Sequence, residues 1–222
     1  MLRVMNSNLE IIDKIREYTF SQYTIKYNDF GSFEILAKLV EENMFLFKEQ
    51  QYYIVFEKYV FGKVEKISKD SDSEYEKTIS ITGRLAPIIL SQRVIDKTIS
   101  FSGKPNQYIN ELIKHCFSLD KKESKRYLNI NIVDNVQTGL EDIEKQMTGG
   151  QLSDEVFDIL KQNKLGLFVF PNITKTFENE NGKTNVDFWN FVLTSGNDRR
   201  IKNESGNTPI VFSQSYSNIK RT

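Results

Sequence analysis

The sequence predicts a mixed chain of the α+β class, and three observations carry that expectation. The first hundred residues hold repeated period-2 alternation, the mark of half-buried strands, whereas two later stretches place apolar residues at i, i+3, i+4 and i+7. Aromatics are abundant, with 16 Phe and 10 Tyr among 222 residues, a usage that suits strands and interfaces better than a helical bundle. Glycine and proline are sparse, at 11 and 4, so long unstructured linkers are not expected.

Strands come first. In "YTIKY", Tyr23, Ile25 and Tyr27 alternate with Thr24 and Lys26, and in "SFEILAKLV", Phe33, Ile35, Ala37 and Leu39 share one face. "EENMFLF" reads as a short helical turn between strands. "QYYIVFEKYVFGKVEKI" and "EYEKTISITG" read as two further strands, joined into a long hairpin by the polar cluster "SKDSDSE". "ITGRLAPIILSQRVI", residues 81–95, then runs from a strand end into a short apolar helix flanked by Arg84 and Arg93, neither with an obvious acidic neighbour in sequence.

From about residue 99 the period changes. "PNQYINELIKHCF" sets Ile109, Leu112, Ile113, Cys116 and Phe117 on one helical stripe, with Pro105 at its start. "QLSDEVFDILKQN" does the same with Leu152, Val156, Ile159 and Leu160; Asp154 and Glu155 favour its first turn and Asn163 can close its end. Two apolar strands, "LGLFVF" and "VDFWNFVL", come next, separated by "NENGKT", whose Asn181-Gly182 pair signals a hairpin; their near-continuous hydrophobicity predicts cover on both faces. A last strand, "TPIVFSQ", has no later partner, so a chain cut short is expected.

The bulk numbers narrow the function classes. A formal net charge of +0 with 27% charged residues gives no overall pull toward nucleic acid or an anionic membrane. The N-terminal "MLRVMNSNLEIIDKI" resembles neither a signal peptide nor an anchor, and no run approaches the roughly 18 apolar residues of a spanning helix, so a soluble protein made in the cytoplasm is expected. One cysteine excludes an internal disulfide.

Candidate chemistry fails residue by residue. His115 and Cys116 are adjacent, and helical neighbours project about 100° apart, so they cannot pair as base and nucleophile; Cys116 belongs to the apolar stripe. With one histidine, neither a Ser-His-Asp site nor a multi-His metal centre is expected. "NGKT" lacks the first glycine of a phosphate loop, where Phe177 stands. "DSDSE" spaces Asp70, Asp72 and Glu74 like a calcium loop, but Tyr75 and Ile81 occupy the glycine and bidentate-Glu positions. "TGGQ", residues 148–151, reads as lacking both the lysine and the preceding strand of a nucleotide site, and as a turn before a helix. A carboxylate pair of a glycosidase is not singled out by any spacing. Trp189 is placed in a core or interface before a sugar platform. No catalytic residue, cofactor or metal is expected.

Four segments in order carry a resemblance: "YNDFGSFEILAKLVEENMFLFKEQQYYI", "ITGRLAPIILSQRVI", "QMTGGQLSDEVFDILKQNKLGLFVF" and "PIVFSQSYSNI". The chain resembles the N-terminal hub region of tail-associated proteins of tailed bacteriophages, related in fold to baseplate hubs of contractile tails and of phage-tail-like bacteriocins. The resemblance implies a homotrimeric ring of tube-forming β-barrel domains. Residues 1–98 would supply the first barrel, 99–205 an inserted α/β domain, and 206–222 the start of a second, truncated barrel. It matches Gly83, Arg84, Leu90 and Arg93 to a strand-to-helix corner. There Gly83 would permit the turn, the leucine and isoleucines would plug the barrel end, and the arginines would bond carbonyls or acids at a junction or subunit seam. Phe212, Ser213, Asn218 and Ile219 match the start of the next barrel.

The implied function is a structural tail hub without enzymatic activity, located in the virion tail and assembled in the host cytoplasm. Its implied partners are the distal tail protein or tail tube, the tape measure protein and downstream fibre or lysin modules, with no membrane and with DNA only as cargo. Two other classes stay open on the residues alone: a cell-wall carbohydrate-binding module, which needs exposed aromatics on one β face, and a peptidoglycan hydrolase.

Overall fold

The computed structural model describes residues 2–6, 11–47, 52–57, 60–70, 77–117, 129–136, 139–172 and 188–195. Seven strands form the first sheet: β1 (Arg3–Met5), β2 (Ile11–Lys14), β3 (Tyr18–Thr24), β4 (Ser32–Lys38), β5 (Tyr53–Glu57), β6 (Val60–Asp70) and β7 (Thr78–Leu85). Their order is β2-β1-β5-β6-β7-β4-β3. Every pairing is antiparallel.

The outermost strands of this sheet, β2 and β3, are consecutive in the chain and separated only by Ile15, Arg16 and Glu17. Laid flat, seven strands spaced about 4.8 Å apart would hold their outer pair about 29 Å from each other. Lys14 and Tyr18 are four Cα steps apart, a reach of about 15 Å at most. The sheet therefore curls until its edges meet at this corner, where Glu17 takes a left-handed φ of 47°. Among the described residues β2 and β3 are not paired with each other. The expected barrel is a curled sheet, joined at its edges by the covalent chain and not by a closed hydrogen-bond ladder.

A second link holds the corner. Asn43, fully buried in the 3-10 helix Glu41–Phe47, accepts a hydrogen bond from the Arg16 amide at 3.0 Å and donates to the Arg16 and Lys38 carbonyls at 2.8 and 3.0 Å. The same helix sends Leu46 into the sheet's interior, where it meets Val4, Ile35, Ile54, Ile79 and Ile81, all without solvent exposure. Each such side chain contributes about 1.5–3 kcal/mol relative to an exposed one. The period-2 pattern that predicted Phe33, Ile35 and Ala37 on one face is seen in β4, where all three are buried.

Part of the sheet's outer face, at β1, β5 and the start of β6, is covered as well. β5 alternates Ile54 inward with Tyr53 and Val55 outward, and those two join Met5 and Phe61 in a core that continues into the rest of the molecule. There lie β8 (Val94–Ile95), β9 (Ile99–Gly103), α1 (Pro105–Phe117), β10 (Asn129–Asn135), β11 (Ile143–Met147), β12 (Gly150–Gln151), α2 (Leu152–Gln162), β13 (Gly166–Asn172) and β14 (Phe188–Thr194). β10 runs parallel to β14, and β13 antiparallel to it. β9 pairs with β11 and β8 with β12. Met5, Tyr53 and Val55 thus share one apolar core with Ile109, Leu160 and Trp189, across residue 98.

Both helices occupy the stripes that periodicity assigned. Leu112, Ile113, Cys116, Val156, Ile159 and Leu160 are buried. Asn163 closes α2 by donating to the Ile159 carbonyl at 2.9 Å. Gly149 and Gly150 turn the chain before α2 with φ of 146° and 127°, a conformation that L side chains rarely adopt.

Four expectations change. "YTIKY" is strand only in its first two residues: β3 ends at Thr24, and Tyr27 leaves the sheet so that its hydroxyl donates to the Thr194 carbonyl at 2.9 Å. "QYYIVFEKYVFGKVEKI" is two antiparallel strands that meet at Glu57 and Val60, a reversal without the Gly, Pro, Asn or Asp that would announce it. "NINIVDN" and "IEKQM" are strands β10 and β11, absent from the sequence-based assignment, so "TGGQ" does follow a strand. Cover on both faces is incomplete in the last two strands, because Phe168 of β13 is 38% exposed while Leu167, Val169, Trp189 and Phe191 are buried. The "NGKT" tip, most of the "DSDSE" cluster and the "TPIVFSQ" strand lie outside the described residues.

Candidate assembly interface

The corner at residues 81–95 is built on close approach to glycine. Gly83 sits inside β7 and not at a turn; it faces Phe33 of β4 directly and Val64 of β6 on its other side. A Cβ there would overlap the Lys63 carbonyl and lie 2.8 Å from the Phe33 ring. A Cβ at Gly62 would overlap the same ring. The Phe33 ring thus lies over two glycines of adjacent strands, filling space that side chains would otherwise occupy.

Arg84, the next residue, finds its acid 19 residues back in the chain. Nε donates to both Glu65 carboxylate oxygens at 3.0 Å, and Nη2 donates to Oε1 at 2.6 Å. Glu65 is the extra residue where the β6–β7 register shifts between Val64 and Lys66, so an irregularity in the ladder re-aims its carboxylate. The guanidinium also lies 5.1 Å from the Phe30 ring centroid. Both partners remain exposed, at 43% and 36%, so the pair is screened by solvent and worth little to the stability of a single chain.

After Leu85 the chain enters the expected short helix, a 3-10 segment over Ala86–Gln92 with Pro87 in its first turn. Ile89 and Leu90 are fully buried, but in the core shared with α1 and α2. They do not plug the interior of the curled sheet, where Leu85 of this corner lies in one core with Leu46. Arg93 ends the segment: its amide donates to the Leu90 carbonyl at 3.2 Å, its carbonyl accepts from the Leu152 amide at 3.1 Å, and its guanidinium lies 5.3 Å from the Phe117 ring centroid. Gln151 Nε2 donates to the Ser91 carbonyl. The corner therefore pins the first turn of α2 to the first sheet. Phe212, Ser213, Asn218 and Ile219 lie outside the described residues.

The surface feature that sequence reading missed is the free edge. Among the described residues β3 pairs on one side only, with β4. Its sequence, "YTFSQYT", carries no charge and no proline, the usual guards of an edge strand, and it exposes Tyr18 and Phe20 at 42% and 39%. Ile12 on β2 and Ile25 just past β3 are also exposed. An uncharged aromatic run beside a corner is a legible signal, but only when the strand is known to be an edge.

The catalytic candidates take ordinary structural places. Cys116 is buried, with its thiol 3.9 Å from the Val94 carbonyl, while His115 points elsewhere and sets Nε2 2.9 Å from Asp96 Oδ1. Among the described residues no three His, Cys, Asp or Glu side chains gather as a metal site. Trp189 is fully buried, its ring centroid 6.4 Å from that of Tyr53.

A curled antiparallel sheet carrying an α/β layer across its outer face is a fold shared with phage tail proteins. The prophage tail protein gp18 from Listeria monocytogenes EGD-e superposes with a TM-score of 0.55 at 12% identity, covering 87% of this chain and 50% of that one. The tail protein from Neisseria meningitidis MC58 gives 0.51 at 10% identity, covering 86% and 49%. This chain thus spans about half the length of either. It belongs to the Siphovirus ReqiPepy6 Gp37-like protein family, whose model matches residues 1–222. No curated protein matches it at a significant level. The resemblance to tail proteins of tailed phages, read from four sequence segments, is borne out by family and by fold.

Proposed function

We propose that this chain is the ring-forming part of a structural tail hub, three copies of which close into a tube in the virion tail. The observation that carries the reading is the uncharged, aromatic edge strand β3 on a curled sheet: such an edge is a pairing hazard in a free monomer and an asset in a closed ring. In this reading residues 1–98 act as the tube-forming barrel, 99–205 decorate its outside, and 206–222 begin a second barrel. Gly83, Arg84, Leu90 and Arg93 serve architecture, and the chain performs no catalysis. The distal tail protein or tail tube binds on one side and fibre or lysin modules on the other.

The test is solution mass by light scattering across a range of concentrations. Three times the 25.9 kDa chain mass is expected, alone or with the distal tail protein added. A monomer under both conditions sinks the ring. The carbohydrate-binding reading keeps Tyr18 and Phe20 on β3 as its stacking candidates but has Trp189 buried, and it predicts sedimentation of the chain with purified cell wall.

A further inference from the structure

The edge strand β3 is held at its two ends by links of different kinds. At its start the Lys38 amide donates to the Glu17 carbonyl at 3.0 Å and Asn43 holds Arg16, so that end belongs to the first sheet. At its other end the chain leaves the sheet after Thr24 and returns to it at Ser32, the first residue of β4. In between, residues 25–31 cross to the second layer. Phe30 meets the Phe157 ring of α2 edge to face, with centroids 4.6 Å apart, and the Gly31 carbonyl accepts the Leu85 amide at 2.9 Å.

Tyr27 makes the contact of this crossing with the second sheet. Its hydroxyl donates to the Thr194 carbonyl of β14 at 2.9 Å, and its carbonyl accepts the Leu167 amide of β13 at 3.0 Å. Gly166 of β13 faces Thr194 across the ladder, and a Cβ on Gly166 would overlap the Tyr27 ring. The ring therefore takes the place of a side chain that β13 lacks. Tyr27 is 37% exposed, and a hydrogen bond at the surface adds little net stability. The two layers are joined without it, through the core that Met5, Tyr53 and Val55 share with Ile109, Leu160 and Trp189. What the two bonds and the glycine slot fix is the path of the chain out of β3, and with it the direction of the edge relative to the α/β layer. A binding surface works only when its supporting contacts hold it within roughly 10–20° of the productive geometry.

We propose that Tyr27 is a positioning residue for assembly: seated on Gly166 and bonded to Thr194 and Leu167, it fixes the edge strand β3 to the second layer in the direction that a neighbouring copy meets. This rests on the ring reading, in which β3 is the seam. The fixing of the edge itself concerns a single chain.

Assembly, stability and hydrogen exchange, measured on the full chain, test it. In a dilution series followed by light scattering, Tyr27→Ala is expected to dissociate about tenfold more readily than the native trimer while its urea midpoint changes little, and Tyr27→Phe, which keeps the ring in its slot, falls between the two. Gly166→Ala displaces the ring without altering Tyr27; it should weaken assembly in the same way and add nothing in the Tyr27→Ala background. An unchanged dissociation constant in Tyr27→Ala overturns the proposal and leaves the ring standing. Weaker assembly matched by an equal loss of fold stability assigns Tyr27 to the fold alone and overturns it too. Hydrogen exchange gives a readout that needs no ring: amides of residues 21–24 are expected to exchange about tenfold faster in Tyr27→Ala, while α1 and α2 keep their protection. Equal exchange in both chains overturns the proposal whether or not the trimer forms. A native chain that stays monomeric sinks the ring reading by itself, and the exchange result then decides whether Tyr27 fixes the edge.

Discussion

Asn43 and Arg16 are joined by a reciprocal pair of hydrogen bonds, 27 residues apart in the chain: the Asn43 side chain accepts from the Arg16 amide and donates to the Arg16 carbonyl. This relationship holds the corner at which the two edges of the first sheet meet. A buried amide side chain is suited to it because it offers a donor and an acceptor from one planar group.

Asn43→Ala is expected to destabilise the chain by about 2 kcal/mol, since it leaves the Arg16 amide and carbonyl without their partner in a part-buried corner, while the Lys38 carbonyl keeps the Val40 amide. Asn43→Asp keeps the acceptor but turns a carboxylate on two carbonyls, and it should be no milder. Urea unfolding measures both. A loss below about 1 kcal/mol would show that water replaces these bonds and that the corner is held otherwise.

The two glycines under Phe33 separate steric causes. Gly62→Ala and Gly83→Ala should each cost about 1–3 kcal/mol or more through overpacking. In a Phe33→Ala background the cost of Gly62→Ala should largely vanish, because its nearest neighbours are ring atoms. That of Gly83→Ala should persist, because the Lys63 carbonyl is backbone and cannot withdraw. A double-mutant cycle that finds equal coupling for both glycines contradicts this account.

Arg84→Ala and Glu65→Ala are expected to change the unfolding free energy of the isolated chain by less than about 1 kcal/mol, as an exposed pair does. On the ring reading, Arg84→Ala lowers the trimer fraction in light scattering. A large stability loss with intact assembly would assign Arg84 to the fold alone.

Tyr108 gives the protein an alkaline limit. Its ring is buried, its hydroxyl donates to Glu155 Oε1 at 3.1 Å, and burial, followed by the Glu155 charge and that hydrogen bond, raises its pKa well above the ordinary 10.0. Burial raises that of Tyr27 as well. In the unfolded chain these tyrosines ionise near pH 10, while in the folded chain they stay neutral. The stability they confer is therefore complete below pH 10 and lost as pH rises from there toward their folded values. Tyr108→Phe should flatten this decline while costing about 1 kcal/mol at neutral pH for the lost hydrogen bond. Unfolding curves from pH 8 to 11 decide, and an unchanged slope in the variant rules Tyr108 out as a source.

The sequence by itself determined the local elements: the inward face of β4, the stripes and ends of α1 and α2, the 3-10 segments at "EENMFLF" and "APIILSQ", and the glycine turn before α2. Each comes from side-chain period or backbone preference within a window of a dozen residues, and the core positions of Cys116 and Trp189 were legible for the same reason. Tertiary structure alone decided the rest. Arg84 meets Glu65 only because a register shift turns that carboxylate, and Gly83 is required by a carbonyl and a ring from neighbouring strands and not by a turn. Ile89 and Leu90 fill the shared core, because the 3-10 segment sits between the sheet and α2. That β3 is an edge, and therefore a candidate seam, depends on a strand order in which chain neighbours β2 and β3 stand at opposite ends of the sheet. Strand order is set by contacts between residues far apart in sequence, and no local pattern encodes it.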